Sequence, residues 1–407
     1  MKHILRFRPD HTIKLEQNYR SSSTILSAAN ALISHNQQRY KKTLWTADAW
    51  AEPIEIFPAD TEVEEARAVV ERLIRSREER GLRWNQMAIL YRSNALSRQF
   101  ELALMQAAWQ KEGRWIRGIP YEVFGGLEFT ERSEIKDLLA YLRTIANAQD
   151  QEAILRVINL PRLGISDTCL DELTQENRSQ GVSLWSLLAE IAAGHRTLSK
   201  YPKAQNGIRA FVEIVQKAQL RFEQGPLSEA LVWFLEAIDY KKAIAEEVKS
   251  EKMRAFKWEN VQECVNALAQ YEQEMESQGL TDEVSLQHFV AHTTLARQTI
   301  QTATHNKQED KVQLMTLHSA KGLEFPQVFL VGLEDHILPH EKSSAQTGIE
   351  EERRLFYVGI TRAQKHLTLS MARSRMRMGK LWPTEPSRFL FEIPQDLLRR
   401  ATPKVFG

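Results

Sequence analysis

Three short segments carry side chains that could contact a nucleotide or a nucleic acid. In the first segment, Tyr19 and Arg20 stand just before a helical pattern that Ser21, Ser22 or Ser23 could cap. An aromatic ring beside a permanently charged guanidinium can stack on a base and bind a phosphate group. For this segment alone, a buried tyrosine beside a surface-paired arginine is the favoured interpretation.

The second segment follows a strand pattern and brings Thr316, His318, Lys321 and Glu324 within nine residues, with Gly322 between the last two. Threonine, histidine and lysine side chains can contact phosphate oxygens, and a glutamate can accept hydrogen bonds from sugar hydroxyls. The alternative is a polar loop between a strand and a helix, with the glutamate as a cap.

The third segment places Arg362 at the end of a helix-like run. Arginine is the residue suited to stabilising charge on a phosphoryl group in transfer. The alternative is a surface salt bridge worth about 0–1 kcal/mol. The window from Arg353 to Lys380 has eight basic residues and no acidic one. It is either a solvated face or a surface that faces an anion.

The sequence has no G-x-x-x-x-G-K-[ST] motif, so no phosphate-binding loop is expected. Its Gly379-Lys380 pair is followed by Leu381. The apolar run that ends in Glu334 and Asp335 resembles a strand leading to magnesium-binding acids. Without a phosphate loop, there would be no bound nucleotide whose magnesium these acids could bind.

Composition sets broad limits on the class of protein. The 407 residues predict two or three domains, and 43% apolar with 26% charged residues is typical of a soluble globular chain. Lys plus Arg is 54 against 53 Asp plus Glu, so any anion-binding surface must be local. Two cysteines, Cys169 and Cys264, exclude a disulfide framework and a four-thiolate metal site. The cytoplasm is the expected compartment. No membrane span or secretory signal is expected.

The elements alternate between strand and helix at both ends of the chain. Strand patterns are predicted at 54–57, 87–91, 312–316, 328–331 and 366–370, and helices at 63–77 and 97–108. From 131 to about 297 the pattern is mostly helical. This arrangement predicts one α/β domain, built from both ends of the chain, with a helical domain inserted in a loop. The expected boundaries are 1–126 and 298–395 for the two parts of the α/β domain, 127–297 for the insertion, and 396–407 for a tail.

The three segments, in this order, resemble the C-terminal motifs of superfamily 1A DNA helicases of the Rep/PcrA/UvrD type, Rep-type sequences above all. LEQNYRS (15–21), TLHSAKGLEFP (316–326) and YVGITRA (357–363) match nearly letter for letter. The strings at 386–390 and 135–142 are also similar, so the resemblance covers about 15–394. It implies a RecA-like parallel-sheet domain of the P-loop NTPase type. This would be the C-terminal copy, without the phosphate loop, with a large inserted all-helical domain.

The resemblance also implies residue roles. Tyr19 would stack on adenine, Glu324 would contact the ribose, and Arg20 and Arg362 would be the catalytic contacts to the γ-phosphate. Thr316, His318, Lys321 and His340 would bind DNA. ATP with Mg would be held mainly by a second RecA-like domain, and no metal ligand is expected in this chain. The implied activity is 3′–5′ translocation and unwinding in replication or repair. Single-stranded DNA and its junctions with duplex are the expected partners, and the helical insertion would contact duplex or self-inhibit.

One departure from the family pattern concerns the nucleotide site. The phosphate loop, the acidic magnesium motif and the glutamine sensor should precede Leu15, where fourteen residues stand. The chain is therefore expected to be half of an ATPase that hydrolyses ATP negligibly by itself, through truncation, a shifted start codon or a split gene. The alternative is a non-catalytic DNA- or protein-binding module. A helicase–nuclease is disfavoured because the chain ends at Gly407.

Two further departures are local. Residues 109–117 resemble an insertion whose Trp109, Arg114, Trp115 and Arg117 could extend a DNA surface or a partner contact, although a solvent-exposed loop is the favoured interpretation. At 162–166, Ser166 stands where relatives often have the second glycine of a turn that contacts duplex DNA, so such a contact is not expected there.

Overall fold

The computed structural model describes residues 16–37, 43–48, 52–111, 113–124, 129–291, 310–341, 343 and 346–403. The chain divides into two compact units. The first unit comprises Met1–Gly125, Glu309–Ser374 and Pro383–Gly407, and the second comprises Gly126–Gln308 and Arg375–Trp382. Residues 15, 125–128 and 292–309, where the sequence analysis placed a motif start and two boundaries, lie outside the described residues.

The first unit is built on a parallel sheet. The strands that the structure describes are β1 (Ile54–Thr61), β2 (Met87–Tyr91), β3 (Ala108–Lys111), β4 (Arg114–Arg117), β5 (Tyr121–Val123), β6 (Val312–Thr316), β7 (Phe325–Leu330), β8 (Ala363–Arg377), β9 (Lys380–Pro383) and β10 (Leu398–Arg400). In the described residues the sheet order is β10-β1-β8-β7-β2-β6-β5, with β9 paired to β8. All neighbours along this path are parallel. Strands β3 and β4 form a separate antiparallel pair.

Helices cover both faces of this sheet. They are α1 (Ser23–Ser34), α2 (Glu62–Arg80) and α3 (Ser97–Gln106), and a later helix, α12, spans Gln346–Ile360. Successive strand residues point to opposite faces, so Leu90 and Leu330 pack in the core with α1 and α12, while Ile89 and Phe329 pack in the core with α2 and α3. Burial on both faces explains the nearly continuous apolar character of these strands.

Helix α2 shows how local sequence sets an element. The Thr61 side chain accepts a hydrogen bond from the Glu64 backbone N–H, and the first turn is acidic. Arg77 and Arg80 stand in the last turn, and Gly81 ends the helix with a left-handed φ of 65°. These charges complement the helix dipole at both ends, and glycine adopts the left-handed conformation without a steric cost.

The second unit is helical. Its described helices include α4 (Ser133–Ala146), α5 (Gln151–Val157), α6 (Asp167–Gln180), α7 (Leu184–Ala192), α8 (Pro202–Gln224), α9 (Leu227–Ala237), α10 (Tyr240–Glu247) and α11 (Glu251–Ser277). Their apolar faces meet in one core that includes Tyr141, Phe211 and Phe234. Ser166, noted in the sequence for replacing a glycine, accepts a hydrogen bond from the Cys169 backbone N–H and caps α6.

The fold class expected from the sequence is confirmed: a mostly parallel α/β sheet domain is combined with a helical insert. Strands β2 and β6 have the predicted limits, whereas β8 continues to Arg377. Residues 398–400, predicted to lie in a tail, form the edge strand β10, which pairs with β1 from Ile54↔Leu398 onward. Within the described residues, no helix is both long and apolar enough to cross a membrane.

The exposed-loop interpretation of the 109–117 segment is wrong. These residues belong to the hairpin of β3 and β4, in which Trp109 pairs with Ile116. Trp109 is buried, and its ring packs edge-on against Trp84 with centroids 5.2 Å apart. The alternation of inward and outward residues in a two-stranded ribbon gives this hairpin one face that packs on the domain.

Candidate functional site

Arg20, Glu324 and Arg362 come together at the amino ends of β7 and β8. Glu324 immediately precedes β7 and Arg362 immediately precedes β8, and the register of these parallel strands pairs Phe325 with Ala363. The Arg20 Nε donates a hydrogen bond to Glu324 Oε2 at 2.6 Å. Residues that are far apart in sequence therefore form one cluster, called here the arginine cluster.

The segment before α1 is pinned to the start of β8. Ser21 Oγ donates to the Ala363 carbonyl at 2.7 Å, and the Ser22 backbone N–H donates to the Gln364 carbonyl at 2.9 Å. The Asn18 side-chain oxygen accepts from the backbone N–H groups of Arg20 and Ser21 at 2.8 and 2.9 Å. These bonds fix the turn that brings Arg20 to Glu324.

The Arg362 guanidinium is buried and held by its own surroundings. Its Nε donates to the Val358 carbonyl at 2.9 Å, Nη1 to the Leu323 carbonyl at 3.0 Å, and Nη2 to Thr361 Oγ1 at 3.1 Å. A guanidinium has five N–H donors, so two of them are not engaged with described residues. The Arg362 guanidinium is thus held in one orientation before any ligand binds.

The arginine cluster has more positive than negative charge. Hydrogen bonding from Arg20 holds the pKa of Glu324 below its usual value, despite a smaller opposing effect of burial. Burial lowers the pKa of Arg362, and the positive charge of Arg20 acts in the same direction. Arg362 remains charged at neutral pH because an arginine starts from a very high pKa. Two guanidinium groups and one carboxylate leave one unit of positive charge for an anion.

Tyr19 presents its ring to solvent beside Arg20. The residue is 86% exposed, so the interpretation of a buried tyrosine is wrong. Its hydroxyl donates to Gln17 Oε1 at 2.8 Å, and the backbone here pairs with Trp45 through a bond from the Asn18 N–H at 2.7 Å. An exposed aromatic face next to guanidinium groups can stack on a base.

Gly359 lets α12 lie directly against the sheet. A Cβ at this position would come within 2.6 Å of Leu317 Cδ2 and 2.9 Å of Leu330 Cδ2. Both leucines are buried, so they could not move aside without disturbing the core. The close packing of α12 is what carries Arg362 to the start of β8.

Thr316, one of the predicted DNA-binding residues, lies at the opposite end of the parallel strands, and His318 and Lys321 follow it in the connection to β7. Thr316 ends β6, and its Oγ1 accepts from the Ser319 backbone N–H at 3.2 Å, so it shapes the turn that follows. His318 and Lys321 are exposed in this turn. The sequence therefore places Thr316 and Glu324 in one string although the fold separates them, because the connection 317–324 returns from the carboxyl end of β6 to the amino end of β7.

The fourth predicted DNA-binding residue, His340, is held by a buried ion pair that sequence reasoning missed. Its backbone N–H donates to Glu352 Oε2 at 3.1 Å. Glu352, on α12, also accepts two hydrogen bonds from Arg92, both at 2.8 Å. Arg92 follows β2 at the edge where Tyr91 pairs with Thr316. In the sequence, Arg92 is a basic residue at the end of a strand, and Glu352 belongs to the acidic triplet 350–352. Neither feature indicates that the two residues pair.

Glu352→Gln should destabilise the chain at neutral pH and much less in acid. Burial favours a raised pKa for Glu352, but the hydrogen bonds and charge of Arg92 outweigh it, so the pKa lies below the usual value. A lowered folded-state pKa gives stability that is present above the unfolded pKa of about 4.3 and is lost as pH falls through the folded pKa. Urea unfolding of the unmodified chain and of Glu352→Gln, from pH 7 to pH 3, measures the difference between their free energies of unfolding. A difference that grows as the pH falls would contradict a stabilising role for the Glu352 carboxylate.

The acids that resemble magnesium ligands have structural partners. Glu334 is buried and accepts a hydrogen bond from the Ala372 backbone N–H at 2.8 Å. Asp335 pairs with Arg388, whose Nη2 lies 2.6 Å from Oδ2. These contacts close the loop after β7 onto its neighbours.

The architecture and the arginine cluster define a RecA-like domain that lacks its own phosphate loop in the described residues. The model of the UvrD-like helicase C-terminal domain matches residues 13–374. The chain belongs to this family.

Curated relatives agree with this assignment. The chain is 41% identical to DNA helicase II of Escherichia coli over 401 residues, which cover 97% of this chain and 53% of the relative. It is 38% identical to ATP-dependent DNA helicase Rep of Salmonella typhimurium over 94% of this chain and 54% of the relative. It is also 38% identical to ATP-dependent DNA helicase PcrA of Staphylococcus epidermidis, over 98% and 52%. The identity to Rep is thus slightly below that to DNA helicase II, and the chain spans about half the length of these relatives.

Proposed function

We propose that this chain is the C-terminal half of an ATP-dependent 3′–5′ DNA helicase that acts in replication or repair. The observation that carries the proposal is the convergence of Arg20, Glu324 and Arg362, with Tyr19 exposed beside them. Membership of the helicase family supports it. A second RecA-like half, which this sequence does not contain, would hold most of the nucleotide.

The arginine cluster suits the polyphosphate of ATP. The donors of Arg20 and Arg362 that are not engaged with described residues, together with the positive charge of the cluster, would bind the γ-phosphate and stabilise charge as it is transferred. Tyr19 would stack on adenine and Glu324 would contact the ribose. Magnesium bound with ATP would neutralise phosphate charge, and the other half would supply its ligands.

DNA would bind at the carboxyl edge of the sheet, through Thr316, His318, Lys321 and His340. Helix α12 joins the two edges: Glu352 holds the His340 loop, and Arg362 follows the end of the helix. Roughly 12 Å of helix separates Glu352 from that end. Closure of the two halves around ATP would then move the arginine cluster and the DNA-binding loop together, and alternation between closed and open states would advance the strand.

The helical unit would act as the inserted domain of the helicase, built from 127–297, and would contact duplex DNA at a junction or inhibit the enzyme. We further propose a cytoplasmic location. The alternative function is a non-catalytic module that binds DNA or protein. The two proposals differ in one respect: only the helicase half restores ATP hydrolysis when its complement is supplied.

The isolated chain should hydrolyse ATP negligibly, because it has arginines without a phosphate loop. Adding an N-terminal half with that loop, from a relative such as DNA helicase II, should restore turnover that single-stranded DNA stimulates. Steady-state phosphate release with and without oligonucleotide measures both. Clear DNA-stimulated turnover by the isolated chain would refute the proposal that a second half must hold the nucleotide. Binding of both the added half and DNA without any turnover would favour the non-catalytic module.

A further inference from the structure

The hairpin of β3 and β4 presents an exposed tryptophan among basic side chains. Trp115 is 69% exposed, and Arg114 and Arg117, on either side of it in the sequence, are exposed as well. Over residues 108–117 the sequence has three basic residues, Lys111 among them, and one acidic residue. The three basic side chains form no ion pair with another residue in the part of the chain that the structure describes.

The hairpin is fixed at its base. The Trp109 indole N–H donates to the Gly118 carbonyl at 2.9 Å, and the Gly118 backbone N–H donates to the Ala107 carbonyl at 2.7 Å. Arg77 lies over the rings of both Trp84 and Trp109, with its Cζ 4.6 and 5.0 Å from their centroids. Because this base is buried, the outer face has a defined conformation before it meets a partner, which lowers the entropic cost of binding.

The outer face has the chemistry of a stacking platform. The register places Trp115 opposite Gln110 and Arg117 opposite Ala108, so these four side chains share the face turned away from Trp109. Along a strand, residues two apart are separated by about 7 Å. An indole can stack on any base while a guanidinium at that distance contacts the adjoining phosphate.

We propose that this outer face, Trp115 with Arg117, is a second binding site for single-stranded DNA. It rests on the proposed function only in taking a nucleic acid as the ligand. The hairpin leads into the amino end of β5, and the Lys321 turn follows the carboxyl end of the neighbouring β6. The five residues of β6 put these two levels about 17 Å apart, within reach of one strand.

The charge pattern favours a nucleic acid over an acidic protein surface. Carboxylates of an acidic protein surface could pair with Arg117, whereas a nucleotide supplies both a phosphate for Arg117 and a base for the indole of Trp115. The alternative partner is distinguished by an oligonucleotide whose sugar–phosphate backbone is intact but whose bases are absent.

The test measures affinity for a labelled oligothymidylate of about 12 nucleotides, a length within the usual range of single-strand sites. In the full chain, Trp115→Ala should weaken binding about 5- to 100-fold. Trp115→Phe should restore most of the affinity. Arg117→Ala should lower the slope of log affinity against log salt by about 0.7. Phe391→Ala, which removes another aromatic residue that is 75% exposed, should change nothing.

The abasic strand separates stacking from charge. On it, Trp115→Ala should lose no further affinity, whereas Arg117→Ala should still lose it. Equal losses for Trp115→Ala on both strands would overturn the stacking role. Unchanged affinity for Trp115→Ala, together with a clear loss in Lys321→Ala, would overturn this inference and leave the proposed function standing. Absence of any binding by the unmodified chain would count against both.

Discussion

Arg362→Ala should abolish ATP turnover by an enzyme assembled from this chain and an N-terminal half. A guanidinium that stabilises the transferred phosphoryl group typically contributes about 10³–10⁵ in rate, or roughly 4–7 kcal/mol of barrier. The measurement is kcat for DNA-stimulated ATP hydrolysis, with DNA affinity determined in parallel. DNA affinity should change little, since the predicted DNA-binding residues lie at the other edge of the sheet.

The structure predicts that Arg362→Ala also loses stability, which the sequence did not indicate. Arg362 donates to the carbonyls of Val358 and Leu323, so its loss removes the donor to the Leu323 carbonyl, while the Val358 carbonyl keeps a bond from Thr361 Oγ1 at 3.0 Å. We expect a loss of about 1–3 kcal/mol in unfolding free energy. Turnover must therefore be expressed per folded molecule, at a temperature where the variant is native by circular dichroism.

A control on the same helix separates the two effects. Arg354 pairs with Glu350 and Glu351 at the surface of α12, at 3.3 and 2.9 Å. Arg354→Ala should cost about 0–1 kcal/mol and leave kcat nearly unchanged. The kcat of Arg362→Lys should fall between those of Arg354→Ala and Arg362→Ala, because lysine keeps the positive charge but lacks the planar guanidinium with its five N–H donors. If folded Arg362→Ala retained turnover within tenfold of the unmodified enzyme, Arg362 would not act on the transferred phosphoryl group.

Arg72→Ala should produce a large loss of stability in the first unit. The Arg72 side chain is 3% exposed, and its Nε lies 2.6 Å from Glu55 Oε1. Its Nη groups donate to the carbonyls of Thr402 at 2.7 Å and Pro403 at 3.0 Å, and its Cζ lies 3.9 Å above the Phe57 ring. Removing one partner of a buried ion pair typically costs about 3–5 kcal/mol, because the other charge remains buried.

The neighbouring Arg75 provides a matched control. Its side chain is 30% exposed, and its Nη2 lies 3.4 Å from the other oxygen of Glu55. Arg75→Ala should cost only about 0–1 kcal/mol, as exposed pairs do. Native-state hydrogen exchange at the β1 and β10 amides reports on this unit alone and should show the difference. Equal protection in the two variants would mean that Arg72 does not hold the C-terminal strand on the sheet.

The sequence predicted most of the elements because their signals are local. Short apolar runs made β2 and β6 recognisable to the residue, and the helical character of the second unit followed from its apolar spacing. The three strings identified the family before any coordinates. What periodicity did not reveal was the role of weakly apolar segments: β10 is three residues long and has two arginines, and only its pairing with β1 makes it part of the sheet.

The hairpin illustrates the same difficulty. Trp109 and Trp115 lie six residues apart in a segment of mixed polarity, so the sequence could not say which would be buried. The structure buries Trp109 against Trp84 and leaves Trp115 exposed, because the strand register turns them to opposite faces.

By itself, the sequence determined the fold class, the family and the residues that could do chemistry, since each depends on residue type and short-range spacing. Tertiary structure alone decided which of those residues meet. Arg20 and Glu324 are 304 positions apart and share a hydrogen bond, while Thr316, eight residues before Glu324, ends β6 at the opposite end of the parallel strands. The physical reason is that a parallel strand carries the chain from one edge to the other, so proximity depends on strand order and register, which are set by long-range packing.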